Sequence, residues 1–205
     1  RPSAQTTLGF VGFILFAVLA ASVSLSSCST LVGVGTAVGV AAVQERGVRG
    51  RAADLKIEAL ILKDFLARGL KMTTVIGVEV YDGRVLLTGL TKDTKVSDEA
   101  VRIAWKTRGV KKVINEIKLE KAGTIADFAH DTWITTKLKS RMTFDKNILA
   151  INYLVETVNR SIYLLGVAQD AKELKRVVGH ASSIDRVRDV VYDHVRIKGQ
   201  VYDKD

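Results

Sequence analysis

One aromatic and two basic residues form the row of side chains in this sequence that is best suited to binding a ligand. Trp133, Lys137 and Arg141 follow one another at intervals of four residues, so on a helix they would share one face. An indole ring suits the headgroup level of a membrane, and cations suit lipid phosphates. These residues are predicted to bind anionic phospholipid. The alternative is that Trp133 packs against the first half of the chain or against the segment 122–128. Three further residues could extend the patch: Phe144, Lys146 and Tyr153.

The single cysteine, Cys28, offers a second kind of chemistry. It follows Leu25-Ser26-Ser27 at the end of an uncharged apolar run, Leu8 to Val23. This order resembles the bacterial lipobox, whose cysteine is lipidated and becomes the first mature residue. Ser29 in the next position is similar to an outer-membrane sorting signal. We therefore expect a lipid anchor on Cys28 and a signal peptide over residues 1–27, with an uncleaved signal anchor as the alternative.

Residue types that perform catalysis are few and badly spaced. His130, His180 and His194 form no metal-ligand pattern in the sequence, and one cysteine cannot build a cysteine-based zinc site. The sequence has no nucleophile elbow and no phosphate-binding loop. Glu79 and Glu156 occupy matching positions, but they are expected to be solvated strand residues in separate domains. The sequence predicts no catalytic residues, no cofactor and no metal.

The composition indicates a globular protein that favours a polyanionic partner. Hydrophobic residues make up 47% of the chain, charged residues 26%, and the formal net charge is +9. Such a charge favours an anionic membrane surface or nucleic acid. Nucleic-acid binding is not expected, because the predicted strands carry aliphatic rather than stacking aromatic side chains. The expected signal peptide would also export the protein past the inner membrane, away from the nucleic acids of the cell.

Two halves of the chain repeat one pattern, which defines the domain organisation. Gly89 aligns with Gly166, 77 positions further along, and the same shift places Asp54 on Asp131. Two apolar helix stripes coincide in this register: Ile57, Ile61 and Phe65, and Ile134, Leu138 and Met142. The predicted organisation is a lipidated cysteine and flexible tether over residues 28–50, a first domain over 51–121, a linker over 122–129, a second domain over 130–198 and a polar tail over 199–205.

Each repeat predicts the element order αββαβ. The apolar stripe marks the first helix. Asp82-Gly83 suits a type I′ hairpin turn, and Asn159-Arg160 is its weaker counterpart. Asp93 and Asp170 are plausible N-caps of the second helix. The closing strands are expected from Val110 to about Leu119 and from Val187 to about Ile197. The fold class is α+β, with two helices on one face of a three-stranded sheet in each domain.

This unit resembles the BON domain, a bacterial module named for osmotically induced and nodulation proteins. The resemblance rests on the hairpin that closes on Gly89 and on the strand Gly109 to Ile117, GVKKVINEI. The segment His130 to Lys137, HDTWITTK, is similar to the dual-BON outer-membrane lipoproteins, as are the lipobox and the tandem repeat. The resemblance covers Cys28 to about Ile197. It weakens from Arg141 to Asn147 and in the tail.

The resemblance implies a lipid-anchored, periplasm-facing protein of the outer membrane that supports membrane integrity and has no enzymatic activity. It further implies that the second copy binds anionic phospholipid. The alternative function is a periplasmic adaptor that binds envelope proteins and uses the lipid anchor only for placement. The lipid interpretation requires an exposed Trp133, whereas an adaptor could bury Trp133 between the copies. Lipid preference, packing of the two copies and oligomeric state do not follow from the sequence.

Overall fold

The computed structural model describes residues 44–121 and 123–200, except for the side chains of Leu70 and Lys71. Cys28 and the predicted signal peptide lie outside the described residues, as do most of the tether and the last part of the tail. Among the described residues, no helix is both long and apolar enough to span a bilayer. The described residues belong to one compact unit with its own hydrophobic core.

The first copy follows the predicted order with one addition. Its elements are α1 (Gly47–Arg68), α2 (Leu70–Val75), β1 (Ile76–Tyr81), β2 (Arg84–Leu90), α3 (Thr94–Lys106) and β3 (Lys112–Lys118). β1 and β2 form an antiparallel hairpin, and β3 returns parallel to β2. Asp93 caps α3, because its side chain accepts a hydrogen bond from the Lys95 N–H. The αββαβ prediction is confirmed, and the short helix α2 is added before β1.

The second copy repeats this order. Its elements are α4 (Ile125–Phe144), a 3₁₀ turn (Ala150–Asn152), β4 (Tyr153–Val158), β5 (Ser161–Ala168), α5 (Ala171–Ser182), β6 (Asp189–Val191) and β7 (Val195–Ile197). Asp170 caps α5 as predicted, by accepting from the Glu173 N–H. The expected single closing strand is divided, and both β6 and β7 pair in parallel with β5.

The helix α4 begins earlier than the predicted linker over 122–129 allows. Its first residue is Ile125, and Thr124 is its N-cap. The Thr124 hydroxyl accepts from the Asp127 N–H at 3.2 Å, and the Asp127 carboxylate accepts from the Thr124 N–H at 2.9 Å. This reciprocal capping box satisfies two backbone groups at the start of the helix. Residues 125–129 of the segment predicted as a linker are therefore helical and continue into α4.

One glycine per copy permits the close approach of the hairpin to the chain that precedes it. Gly89 has a φ of 139° and Gly166 has a φ of 152°, conformations that L side chains rarely adopt. A Cβ at Gly166 would lie 2.0 Å from the carbonyl oxygen of Asn152, and one at Gly89 would lie 2.0 Å from that of Val75. Both positions therefore require glycine.

A buried aspartate on the first helix of each copy holds the hairpin turn. Asp54 accepts hydrogen bonds from the N–H groups of Asp82 and Gly83, both at 2.8 Å. Asp131 accepts from the two turn residues of the second hairpin at 2.7 and 2.8 Å. All four turn residues have positive φ, as a type I′ turn requires. The repeated aspartate thus ties each helix to its turn.

The two sheets pack face to face. The residues buried between them are Tyr81, Leu86 and Ile114 from the first sheet and Tyr163 and Leu165 from the second. The opposite face of each sheet packs against the helices of its own copy. The order of layers is helices, sheet, sheet, helices, so α1 and α4 lie on opposite outer sides.

Polar contacts reinforce this interface. The buried Arg84 of β2 donates hydrogen bonds to the carbonyl oxygens of Gly166 at 3.0 Å and His194 at 2.7 Å. His194 in turn places its Nε2 2.9 Å from Oε1 of Glu116. Before α1, the Glu45 N–H donates to the side-chain oxygen of Asn152 at 3.0 Å. The two copies are therefore one packed body, a point that the repeat alone left open.

Candidate functional site

The solvent-facing side of α4 carries an ordered aromatic and cationic pair. Trp133 is 43% exposed, and its ring stacks on that of His130 with centroids 5.6 Å apart. The Nζ of Lys137 lies 4.4 Å from the centroid of the Trp133 ring. A cation at this distance is attracted by the ring quadrupole. Trp133 is therefore held at the surface between a histidine and a lysine, and it is not buried between the two copies.

The third predicted residue, Arg141, is drawn away from this pair. Its Nη1 donates to the carbonyl oxygen of His180 at 3.0 Å and to the Ser183 hydroxyl at 2.7 Å. Each helical residue rotates by about 100°, so Arg141 stands roughly a quarter turn from Trp133 around α4. The structure thus brings Trp133 and Lys137 together and places Arg141 at the border with α5.

A second aromatic residue shares the line of Trp133. Phe144 follows Trp133 by about three helical turns and is 83% exposed at the end of α4. Ser140 lies between them on the same side. We name Trp133, Lys137, Ser140 and Phe144 the α4 face. The suggested extension to Tyr153 was wrong, because Tyr153 is a buried residue of the second core.

Basic side chains balance the negative charge of Asp145, the acidic residue next to this face. Asp145 Oδ2 lies 2.8 Å from Nε2 of His180 and 3.4 Å from Nη1 of Arg176. The hydrogen bond with His180 lowers the pKa of Asp145 to about 2. Because this carboxylate is paired, the adjoining surface keeps the positive character that Lys137, Arg141 and Lys146 give it. Among the described residues, no group of histidines and carboxylates could hold a metal ion.

The repeated glutamates differ from the expectation that they are solvated. Glu79 pairs in register with Leu86, and Glu156 with Tyr163, so both point toward the buried region between the sheets. Burial, reinforced by the charge of Glu156, raises the pKa of Glu79 to about 7. Burial also raises the pKa of Glu156. The fold brings these two carboxylates together although they belong to different copies.

This carboxylate pair predicts a pH dependence of stability. The pKa of Glu79 is raised from 4.5 to about 7 on folding, so the folded state holds a proton that the unfolded state releases. The associated stability is fully present below pH 4.5 and is lost as the pH rises through about 7. At about 1.4 kcal/mol per pKa unit, the loss is at most about 3.5 kcal/mol.

Urea unfolding of Glu79→Gln and wild type on both sides of this window tests the prediction. The variant should lose less stability than wild type between about pH 5 and pH 8. The same change at the exposed Glu120 is the control and should leave the wild-type pH dependence in place. Equal pH dependence of Glu79→Gln and wild type would contradict the assignment.

These features define a class of protein: a tandem of two αββαβ modules packed sheet to sheet, with an exposed aromatic and cationic helix face. Residues 53–121 and 130–199 match the BON domain family. The chain belongs to the BON domain family and contains two copies of its domain.

The relatives of this chain include an outer membrane lipoprotein. The chain is 29% identical over 178 residues to the outer membrane lipoprotein DolP of Haemophilus influenzae. This alignment covers 84% of this chain and 90% of that protein. It is 39% identical over 124 residues to an uncharacterized protein in the gshII 5' region of Anaplasma centrale, covering 60% of this chain and 82% of that protein. A 21 kDa hemolysin of Actinobacillus pleuropneumoniae is 29% identical over 133 residues, covering 62% of this chain and 69% of that protein. The chain is therefore a dual-BON, DolP-like protein.

Proposed function

We propose that this protein is a non-enzymatic lipoprotein of the outer membrane whose second copy binds anionic phospholipid through the α4 face. The observation that carries the proposal is the exposed Trp133 with Lys137 4.4 Å from its ring. The fold does not require this pair, because the matching residues of the first copy are Lys56 and Leu60. An exposed tryptophan with a cation over its ring, at a position where the fold does not require either residue, is a candidate for binding.

The chemistry of the α4 face fits a membrane interface. The Trp133 and Phe144 rings supply apolar surface that can enter the headgroup region from one side of the helix. Lys137 lies between them and can meet lipid phosphate, with Arg141 and Lys146 at the border. Each basic residue near an anionic surface contributes about 1 kcal/mol. The net charge of +9 adds long-range attraction to the same surface.

The relationship to an outer membrane lipoprotein supports the cellular placement in this proposal. In this placement a lipidated Cys28 anchors the chain in the outer membrane, and the described domains face the periplasm. Diacylation together with N-acylation supplies the two or more chains that stable anchoring requires. Binding of phospholipid by α4 would then orient the folded unit on the membrane and support its integrity.

Vesicle binding of residues 44–205, which omit the lipid anchor, tests the proposed site. Wild type should bind phosphatidylglycerol vesicles and leave phosphatidylcholine vesicles unbound. Trp133→Ala and Lys137→Glu should each weaken binding by about tenfold, a change of about 1.4 kcal/mol. Higher salt should weaken the wild-type interaction as well, because exposed charges are screened.

The second tryptophan provides a matched control. Trp105 is 54% exposed on α3 of the first copy, so Trp105→Ala removes the same side chain from another surface. This variant should bind like wild type. Because the chain has two tryptophans, the fluorescence of a Trp105→Phe variant reports Trp133 alone and should shift to the blue on phosphatidylglycerol. If the wild-type protein bound neither kind of vesicle, the proposed phospholipid site would be refuted.

A further inference from the structure

The helix α1 of the first copy exposes an apolar stripe that the fold does not use. Its residues alternate in steps of four and three: Val48, Ala52, Leu55, Ala59, Leu62 and Leu66. All six are exposed, and Leu55 and Leu66 keep 47% and 55% of their surface accessible. Alternating steps of four and three are the a and d spacing of a coiled coil. We name these six residues the α1 seam, which extends along about 27 Å of helix.

The core of the first copy does not need the α1 seam. The buried stripe of α1 is Asp54, Ile57, Ile61 and Phe65, on a different side of the helix. In the second copy the positions of the seam are occupied by Ile125, Ala129, Thr132, Thr136, Lys139 and Thr143. One copy of the same fold is therefore polar along most of this line, whereas the other is apolar.

A row of cations borders the α1 seam. Arg49, Lys56 and Lys63 follow at intervals of seven residues along one side, and all three are exposed. On the other side, Arg51 and Glu58 are half-buried. Leu60 lies beyond the cation row, away from the seam. In coiled coils the residues that flank an apolar seam select the partner by charge. This row therefore favours acidic side chains on whatever occupies the seam.

The geometry favours a helix over a membrane as the occupant. A helix that lies on a membrane presents a wide apolar face that carries aromatic residues, whereas a and d positions alone make the narrower seam of helix pairing. The α1 seam is aliphatic throughout. It also lies on the outer side opposite α4, so a flat membrane in contact with the α4 face cannot reach it.

Charge argues against a second copy of this chain. In an antiparallel pair of α1 helices, the cation row would face its own duplicate, and like charges would oppose one another. In a parallel pair, Glu58 would attract Lys63 of the other copy. This attraction would be offset by Arg51, which would face Lys56, again with like charges. Such juxtapositions disfavour association.

We propose that the α1 seam is a docking site for an amphipathic α-helix of another envelope protein, with an apolar seam of the same spacing bordered by acidic side chains. This site goes beyond phospholipid binding and is independent of it. The first copy then binds protein while the second copy binds the membrane.

A synthetic peptide of three heptads tests the site, with Leu at a and d and Glu at the flanking e and g positions. Its matched twin carries Lys at e and g. Fluorescence anisotropy with residues 44–205 should show binding of the Glu peptide at least about tenfold tighter than of the Lys peptide. The double change Leu55→Gln with Leu62→Gln should weaken binding of the Glu peptide by a similar factor, because glutamine preserves the helix but not the apolar seam.

Matched variants separate the seam from its surroundings. Leu60→Gln changes a leucine outside the seam and should leave peptide affinity intact, as should Trp133→Ala on the α4 face. Neutralising Lys56 and Lys63 with Gln should weaken binding, whereas neutralising the exposed Lys172 and Lys175 of α5 should not.

Four results would overturn the proposal. Equal affinity for the two peptides, or unchanged affinity of the Leu55→Gln, Leu62→Gln variant, would remove its basis. A wild-type dimer in sedimentation equilibrium that this variant dissolves would assign the seam to a second copy. Vesicle binding that is lost in this variant but kept in Trp133→Ala would assign the seam to the membrane. Failure of vesicle binding alone would leave the seam proposal standing.

Discussion

Gly166→Ala should prevent the second copy from folding stably. The new Cβ would lie 2.0 Å from the carbonyl oxygen of Asn152, a backbone atom that cannot move aside cheaply, and the φ of 152° strains any L side chain. Steric overlap and backbone strain each cost about 1–3 kcal/mol. A loss of at least about 3 kcal/mol is a large share of the stability of a small protein. Urea unfolding followed by circular dichroism measures this loss.

Gly179→Ala is the matched control for this prediction. Gly179 lies within α5, and an added Cβ would have nothing within 4 Å. The variant should be as stable as wild type or more stable by up to about 1 kcal/mol, because alanine favours the helix. A Gly166→Ala protein that unfolds at the wild-type urea concentration would show that the contact with Asn152 relaxes.

Asp54→Ala should be the most damaging change of a polar residue in the first copy. It removes the acceptor of two turn N–H groups and the partner of Arg46, whose Nη1 lies 2.5 Å from Asp54 Oδ2. Both side chains of this pair are only 2% exposed, so the arginine would stay buried without its counter-charge. Breaking such a pair from one side costs about 3–5 kcal/mol.

Asp131→Ala is the natural comparison because it occupies the matching position of the second copy. Asp131 accepts the same two kinds of turn hydrogen bond, but the structure places no arginine against it in the part of the chain described. Its loss should cost about 2–3 kcal/mol, less than that of Asp54. Thermal unfolding of both variants separates the contribution of the arginine ion pair from that of the turn hydrogen bonds. Equal losses would mean that the arginine pair contributes nothing and that the turn bonds alone determine stability.

Much of each copy could be predicted because its signals are local. The repeat register aligned Gly89 with Gly166 and Asp54 with Asp131, and the structure gives each pair the same role. The spacing of the apolar stripe correctly predicted which side of α1 and of α4 is buried in the core. The proximity of Trp133 and Lys137 followed from their separation of four residues on α4.

The packing of the two sheets was missed, although the sequence carried a signal for it. Strands exposed on one face alternate between apolar and polar residues, whereas strands covered on both faces are apolar throughout. β2 contains Val85-Leu86-Leu87 and β5 contains Ile162-Tyr163-Leu164-Leu165, and all of these residues are buried. Because Glu79 lies on the strand next to β2, the same signal indicated that its carboxyl group is shielded from water.

Other features of the site depend on contacts that are distant in sequence. Arg141 turns toward His180 and Ser183, which follow it by 39 and 42 residues, and no local pattern specifies that choice. Phe144 was named as a possible extension of the patch, and its place on the line of Trp133 follows from a separation of about three helical turns. The expected contribution of Tyr153 was wrong because β4 begins at this residue and directs its ring into the core.

The shared sheet interface determines how the two copies can be studied. An excised second copy would uncover Tyr163 and Leu165, and with them a contiguous apolar sheet face of the kind that drives aggregation. It would also leave the carbonyl oxygens of Gly166 and His194 without the arginine that bonds to them. Deletion mapping would therefore report the loss of a partner rather than the properties of a domain. A division of labour between the copies has to be resolved by point substitutions on the outer helices of an intact pair.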